Sequence, residues 1–319
     1  MVIKFEPITQ DIMQNPEYKN IIVSIIMITY GHEKYIRHAI EGVLMQECNF
    51  EFELIVSNDC SPDNTQEIVN KIILNHPKGE KIKYFRHSKN IGMIENSFFA
   101  VNQCFGKYTA GCEGDDYWTD PYKLQKQVDF LEQNNEYTLC FTNYKILKQL
   151  ENHNQIIDLE VNKNIYLIEE IIINNPFAAC TSLIKTDYLK SFPDFFKQLP
   201  FSDLAFYLFS MNESKSKAYL LNDVTSIYRL HHGGVHGKAH LSNKGMIQAF
   251  KQRVKFWEII LENNYLIEYK SQIIKKIIFD QKKLLIYLKE DNYFITYFIL
   301  KFKIFIMRIR YLLFVKLNP

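Results

Sequence analysis

Up to Pro121 the apolar positions of this chain alternate between two rhythms. Ile21 to Ile28 is a near-continuous run rich in β-branched side chains, the pattern of a strand covered on both faces, as in a parallel sheet. A polar loop, Thr29 to Glu33, follows. Then Ile36, Ala39, Ile40, Val43 and Leu44 fall at i, i+3, i+4, i+7 and i+8, which predicts a helix packed on that sheet. The plan repeats with a strand over Phe52 to Ser57, a polar loop over Asn58 to Asn64 and a helix carrying Ile68, Val69, Ile72 and Ile73. Asp63 followed by Gln66 predicts a capping box at that helix's start. A third strand (Ile82 to Phe85), a helix around Asn96 to Cys104 and a fourth strand (Tyr108 to Cys112) continue the series.

Such alternation predicts an α/β, Rossmann-like fold, a mostly parallel central sheet flanked by helices. Right-handed crossovers then bring the loops Thr29 to Glu33, Asn58 to Asn64 and Glu113 to Pro121 to one edge of the sheet, where ligands bind in such folds. Past Lys123 the pattern predicts a helix to about Gln133, then a mixed stretch to Leu230. From Met246 onward it is helical, with lysines interspersed. The expected division is an N-terminal lead at 1–20, an α/β domain at 21–240 split into halves at 21–121 and 122–240, and a helical C-terminal extension at 241–319.

Composition narrows the field. With 319 residues, 47% of them hydrophobic, the chain can bury a full core. A formal net charge of +2 gives no reason to expect a nucleic-acid partner, which demands a concentrated basic surface. Six cysteines are scattered without a CxxC pair, as expected for thiols in a reducing compartment. The first residues carry Lys4 and Glu6 and no apolar run before a cleavage site, so the expected location is the cytoplasm.

The chemistry is concentrated in Glu113-Gly114-Asp115-Asp116-Tyr117-Trp118, after the fourth strand. Three carboxylates within four residues repel one another unless a cation or donors neutralise them. Mg²⁺ suits such a place, because it takes one or two carboxylates plus substrate phosphates; a solvated acidic turn is the alternative. Asn58-Asp59-Cys60-Ser61-Pro62-Asp63-Asn64 reads by itself as an Asx/Pro turn capping a helix, but it faces the acidic loop across the same edge. Ser202-Asp203 before the apolar Leu204 to Leu208 run reads equally as a helix N-cap or as a placed acid.

Taken in order, these segments resemble glycosyltransferase family 2 with a GT-A fold. The matching residues are Val23-Ser24-Ile25 to Thr29-Tyr30, Asn58 to Thr65, Asn90-Ile91-Gly92, Gly106-Lys107-Tyr108, Glu113 to Trp118 as a DxD-type motif with Lys123-Leu124 behind it, Asp203, and Tyr228-Arg229-Leu230-His231. The resemblance covers about residues 20 to 240. It implies inverting transfer of a sugar from a nucleoside-diphosphate donor, UDP above all, to the hydroxyl of a glycan or lipid-linked acceptor in bacterial surface polysaccharide assembly. It also implies Mg²⁺ or Mn²⁺ as cofactor, with 21–121 as the nucleotide-sugar half and 122–240 as the acceptor half.

Residue by residue, the resemblance implies that Asp59 contacts the nucleobase, Glu113 the ribose, Asp115 the metal, and that Asp203 accepts the proton from the attacking hydroxyl. His231 would lie near the diphosphate, with Thr29, Tyr30, Glu33, Asn58, Asn90, Gly114 and Arg229 completing the donor site. Asn58 and Glu113 stand where the family often has Asp, and Cys60 where it often has Gly. Those departures bear on base and ribose contacts, since Asn58 still accepts hydrogen bonds and Glu113 keeps its carboxylate.

The histidines at 231, 232, 236 and 240 sit beside two adjacent glycines and lack cysteine partners at structural-zinc spacing, which argues against zinc. There is no GxGxxG after the first strand and no GxxxxGK[ST], so dehydrogenase and P-loop readings lose their support. Two rivals from other classes stand: an inactive nucleotide- or glycan-binding scaffold, and a sugar nucleotidyltransferase. Finally, Tyr293 to Leu317 is aromatic and aliphatic with Lys301, Lys303, Arg308, Arg310 and Lys316 and no acid. Its charges interrupt it too often for a spanning helix. On a wheel Lys301, Arg308 and Lys316 oppose Lys303 and Arg310, so it is not a clean interfacial helix. Attachment to an anionic leaflet and packing on the domain or in a homodimer are both open for it.

Overall fold

The computed structural model describes residues 20–149, 154–158, 163–240, 242–291, 293 and 296–306. Nearly all of the N-terminal lead, and Arg308, Arg310 and Lys316 of the tail, lie outside the described residues. The chain begins β1 (Ile21–Thr29), α1 (Ile36–Leu44), β2 (Glu51–Asn58), α2 (Thr65–Asn75), β3 (Ile82–Arg86), α3 (Met93–Asn102) and β4 (Tyr108–Gly111). These are the elements that the apolar rhythms predict. Val23, Ile25 and Met27 on one face of β1 are fully buried with Ile36, Ala39, Ile40 and Val43 of α1, as a strand under a helical stripe requires.

Strands β3, β2, β1 and β4 lie side by side and parallel. Thr29 pairs with Asn58 and Ile26 with Gly111, so the carboxyl ends of β1, β2 and β4 open on one edge. Behind that edge Glu53, buried in β2, accepts from Ser24 Oγ at 2.5 Å and Phe105 N at 2.9 Å and pairs with Lys83. Gly106 is required beside it, because a Cβ there would meet Ser24 N at 2.5 Å.

One local expectation fails. The N-cap of α2 is Asn64, and no capping box joins Asp63 to Gln66. Asp63 instead accepts from Thr65 N and Thr65 Oγ1 through one oxygen and from Glu33 N through the other. Its carboxylate therefore ties the loop after β1 to the loop after β2.

In the second half the helix expected from Lys123 to about Gln133 is present, whereas the strands and helices of the mixed stretch after it are not predicted one by one. This half comprises β5 (Tyr117–Trp118), α4 (Lys123–Gln133), β6 (Tyr137–Gln149), β7 (Gln155–Asp158), β8 (Ile165–Tyr166), α5 (Ile168–Ile173), β9 (Ser182–Lys185), α6 (Asp203–Ser214) and β10 (Lys217–His231). Strand β9 runs antiparallel between β4 and β6, and β10 lies parallel to β6. Ser226 and Ile227 of β10 pair antiparallel with Trp118 and Tyr117 of β5, which returns the chain to the acidic loop. Helix α6 buries Leu204 through Met211 on every side, in one cluster with Val254, Phe256 and Trp257.

Those last residues belong to α8 (Asn243–Glu262), which follows the short α7 (Val235–His240) and pairs with α9 (Lys270–Glu290). Ser242 caps α8 by accepting from Gly245 N. Residues 296–306 are again helical. Among the described residues, no helix is long and apolar enough to cross a membrane.

Candidate functional site

Gly114 decides how the acidic loop leaves β4. Its N–H donates to Ile28 O at 3.0 Å, and a Cβ on it would lie 2.8 Å from both His32 Nδ1 and Thr29 Oγ1. Only a hydrogen fits there, so the loop after β4 passes directly against the loop after β1. Asp115 is thereby set with Oδ2 3.0 Å from His231 Nε2 and 3.8 Å from His32 Nε2.

Arg229 holds the same loop from β10. Its backbone N–H donates to Asp116 Oδ1 at 2.7 Å and its Nε to Asp115 O at 2.7 Å, while Nη1 reaches Gln149 Oε1 at 3.2 Å. The guanidinium lies between the Tyr35 and Tyr117 rings, 4.8 and 5.0 Å from their centroids. At 8% exposure this arginine braces the acids from behind; it does not present an open fork to phosphate. Tyr35 also packs on His231, with ring centroids 4.4 Å apart.

The electrostatics follow from burial. Glu113 is held well above the usual carboxylate range by desolvation and by the charges of Asp115, Asp116 and Asp203. Asp116 is raised likewise, by desolvation first and Asp115 second, with hydrogen bonds from Arg229 N and the Cys180 thiol offsetting part of the rise. Burial would raise Asp115 too, but the hydrogen bond from His231 and the charge of His32 outweigh it and leave Asp115 below its ordinary value.

Asp203 is the first residue of α6, with Ser202 as the N-cap residue. It lines a cleft, partly open to solvent, whose wall also includes Glu113, Ser97, Ser202 and Tyr207. The two acids that sequence places ninety positions apart therefore share one opening, next to Asp115.

The loop after β2 is more built-in than the sequence suggests. Asn58 is fully buried, accepting from Ser61 N and donating to Tyr84 OH, both at 2.8 Å. Asp59 is also buried and accepts from Ile91 N at 2.7 Å and Gly92 N at 2.9 Å. It fixes the turn at Asn90, whose side chain is exposed. Cys60 adopts φ 60°, the left-handed conformation that glycine takes most readily. Glu33 accepts from Asn64 N and Nδ2, Thr29 is buried, and Tyr30 is exposed.

So the structure gathers Thr29, Gly114, Asp115, Arg229 and His231 at one corner, Glu113 and Asp203 at the adjoining cleft, and Asn58, Asp59, Asn90 and Glu33 along the neighbouring loop. Sequence reasoning missed His32 and Tyr35 as members, and gave Asp116 and Tyr117, within the acidic motif, no role of their own. His32 lies within the loop Thr29 to Glu33 and Tyr35 two residues past it, which was the signal available for them.

Among the described residues, no three His, Cys, Asp or Glu side chains are arranged to close on a metal ion by themselves. The donor set still fits a hard divalent cation. The crowding of Glu113, Asp115 and Asp116 and the pairing of Asp115 with His231 suit an ion that completes its shell with phosphate and water.

The chain belongs to glycosyl transferase family 2, whose profile matches residues 24–188, just over half of its length. An uncharacterised protein of Mycobacterium tuberculosis is 38% identical over 125 residues, which make up 39% of this chain and 36% of the relative. The chain thus spans little more than a third of that relative's length. An uncharacterised glycosyltransferase of Haemophilus influenzae is 29% identical over 209 residues, 66% of this chain and 79% of the relative. Among solved structures, S. aureus TarS in complex with UDP superposes with a TM-score of 0.55 at 19% identity, covering 81% of this chain and 71% of that one. The mannosyltransferase PcManGT from Pyrobaculum calidifontis, in complex with GDP-Man and Mn²⁺, gives 0.57 at 13% identity, covering 84% and 74%. At these identities the two structures establish the GT-A fold.

Proposed function

We propose that this chain transfers a sugar from a nucleoside-diphosphate donor, with UDP as the nucleotide, to an acceptor hydroxyl with inversion at the anomeric carbon. The observation that carries the reading is the meeting of Asp115 and His231 at 3.0 Å beside a cleft lined by Glu113 and Asp203. Family membership and solved neighbours holding UDP, UDP-GlcNAc or GDP-Man with Mn²⁺ support it. The 21–240 segment would form the transferase domain, with donor contacts in 21–121, acceptor contacts in 122–240 and 241–319 as an extension. Surface polysaccharide or a lipid-linked glycan is the acceptor class that this reading carries.

Asp115 and His231 would hold Mg²⁺ or Mn²⁺, which supplies Lewis-acid charge neutralisation at the departing diphosphate. Arg229 keeps the Asp115 carbonyl and Asp116 carboxylate in place, so the corner needs little reorganisation when donor arrives. Glu113 orients hydroxyls of the donor, and Asp59 and the turn at Asn90 border the base. The acceptor oxygen attacks the anomeric carbon opposite the diphosphate, the carbon–oxygen bond to the diphosphate breaks, and Asp203 takes the acceptor's proton. Two adjacent glycines, Gly233 and Gly234, let the segment after β10 lie directly over His231 and Asp115.

The test is a panel of UDP-, GDP- and dTDP-sugars incubated with Mn²⁺ or Mg²⁺, reading nucleoside diphosphate release. Metal-dependent release from one or two UDP-sugars is expected, abolished by EDTA. Release untouched by chelation, or none from any donor, would count against the reading.

A further inference from the structure

Residues 296–306 form a helix with two apolar faces. Leu300, Ile304 and Tyr297 occupy the inner one. Ile304 is buried, and Tyr297 and Leu300 pack on Ile247, Phe250, Leu284 and Leu288 of α8 and α9. The outer face carries Phe298, Ile299, Phe302 and Phe305, which are 62, 54, 64 and 58% exposed. Four large apolar side chains in a single short helix exceed the scattered exposure expected of a surface that meets only water.

We propose that this outer face is a docking surface for an anionic lipid bilayer, with the helix lying in the plane of the interface. Charge placement selects the occupant. At about 100° per residue, Lys301 and Lys303 fall roughly 100° to each side of the middle of the outer face. Both are exposed. Basic residues on opposite sides of a wheel argue against an interfacial helix only while both of its faces are free. With the inner face docked on α8 and α9, the two lysines flank the face left exposed among the described residues. Lysines so placed extend their ammonium groups to lipid phosphates while the phenylalanines enter the acyl boundary.

A single sign of charge runs through the whole segment. From Asn292 to Pro319 there are five basic residues and no acid, the composition that an anionic leaflet attracts; Glu258 of α8 is the acid within electrostatic reach of Lys303. The absence of a membrane-crossing helix among the described residues is consistent with lying on the bilayer. The proposal does not depend on the donor chemistry.

The experiment is co-sedimentation of the full chain with sucrose-loaded vesicles of phosphatidylcholine alone or with 30% phosphatidylglycerol, at about 0.1 M salt, where surface charges are only partly screened. Wild type is compared with Phe298→Ser/Phe302→Ser/Phe305→Ser and with Lys301→Glu/Lys303→Glu. All five changes fall on exposed positions, and thermal unfolding checks that each variant folds. Partition onto anionic vesicles at least tenfold above neutral ones is expected, with at least a tenfold loss in each variant. Equal partition of wild type and the serine variant overturns the proposal. So does a concentration-dependent dimer that the serine variant abolishes, since the face would then join two copies. Binding that appears only after removal of 307–319 overturns it as well, by assigning the face to the chain's own end. Nucleoside diphosphate release in detergent-free buffer should be unchanged in both variants, so failure here and failure of the transferase reading are distinguishable.

Discussion

Replacing Gly114 by alanine puts a methyl carbon 2.8 Å from His32 Nδ1, 2.8 Å from Thr29 Oγ1 and 2.9 Å from Thr29 Cβ. Real Cβ contacts do not come that close, so the acidic loop, the loop after β1, or both must move. Overpacking of this kind typically costs about 1–3 kcal/mol, which in a chain of this size lowers the melting temperature by roughly 2–5 °C. The functional loss should be larger. Asp115 is the next residue, and a displacement of about 1 Å at a reacting centre costs on the order of 100-fold in rate. Gly31→Ala serves as the control. Unlike Gly114 it has a positive φ, 71°, and nothing lies within 4 Å of its Cβ, so alanine there carries backbone strain of about 1 kcal/mol without the collision. Nucleoside diphosphate release and melting temperature are measured for both. The reasoning fails if Gly114→Ala releases product as fast as wild type, or no slower than Gly31→Ala.

Three further outcomes are expected. Arg229→Lys keeps the charge but loses the paired geometry and the fit between Tyr35 and Tyr117; with hydrogen bonds from charged groups contributing about 1.5–3 kcal/mol, activity should fall at least tenfold, and intact activity would show that the brace is dispensable. Asp203→Asn should lower turnover by about 10²–10⁴-fold with nucleotide affinity unchanged, as isothermal titration would read. Burial lowers the Lys123 ammonium to about 8, against 10.5 in the unfolded chain. Between those values the unfolded state binds the extra proton, so stability rises with pH, by up to about 3 kcal/mol. Urea denaturation at pH 7.5 and 10 should show that gain in wild type and not in Lys123→Met, and equal pH dependence in both would refute it.

How much was legible depends on where the determining contacts lie. Strands β1 to β4 announce themselves because strands covered on both faces need unbroken apolar runs, and α1 shows because Ile36 to Leu44 faces a single surface. The acidic loop was visible for the opposite reason, since carboxylates so crowded need an explanation. Between Asn135 and Leu230 the strands are short, or half-covered, and β9 owes its antiparallel place to partners on β4 and β6 that no local pattern encodes. The start of α2 was misread because Asp63 serves a neighbouring loop. The resemblance counts Arg229 among the donor-site residues but gives no hint that its Nε and its backbone N–H are taken up by Asp115 and Asp116, a contact across more than a hundred residues. His32 entered the site through the close approach that Gly114 permits, which is again a tertiary fact.

The central claim is that the corner formed by Asp115 and His231 grips the donor's diphosphate through a divalent ion. The most direct measurement is calorimetric titration of UDP into the full chain with Mn²⁺ and with EDTA, for wild type and Asp115→Asn. At least a tenfold tightening by Mn²⁺ in wild type, absent from the variant, is the predicted result. Equal affinity with and without the metal, or an Asp115→Asn chain that responds to Mn²⁺ as wild type does, would contradict it.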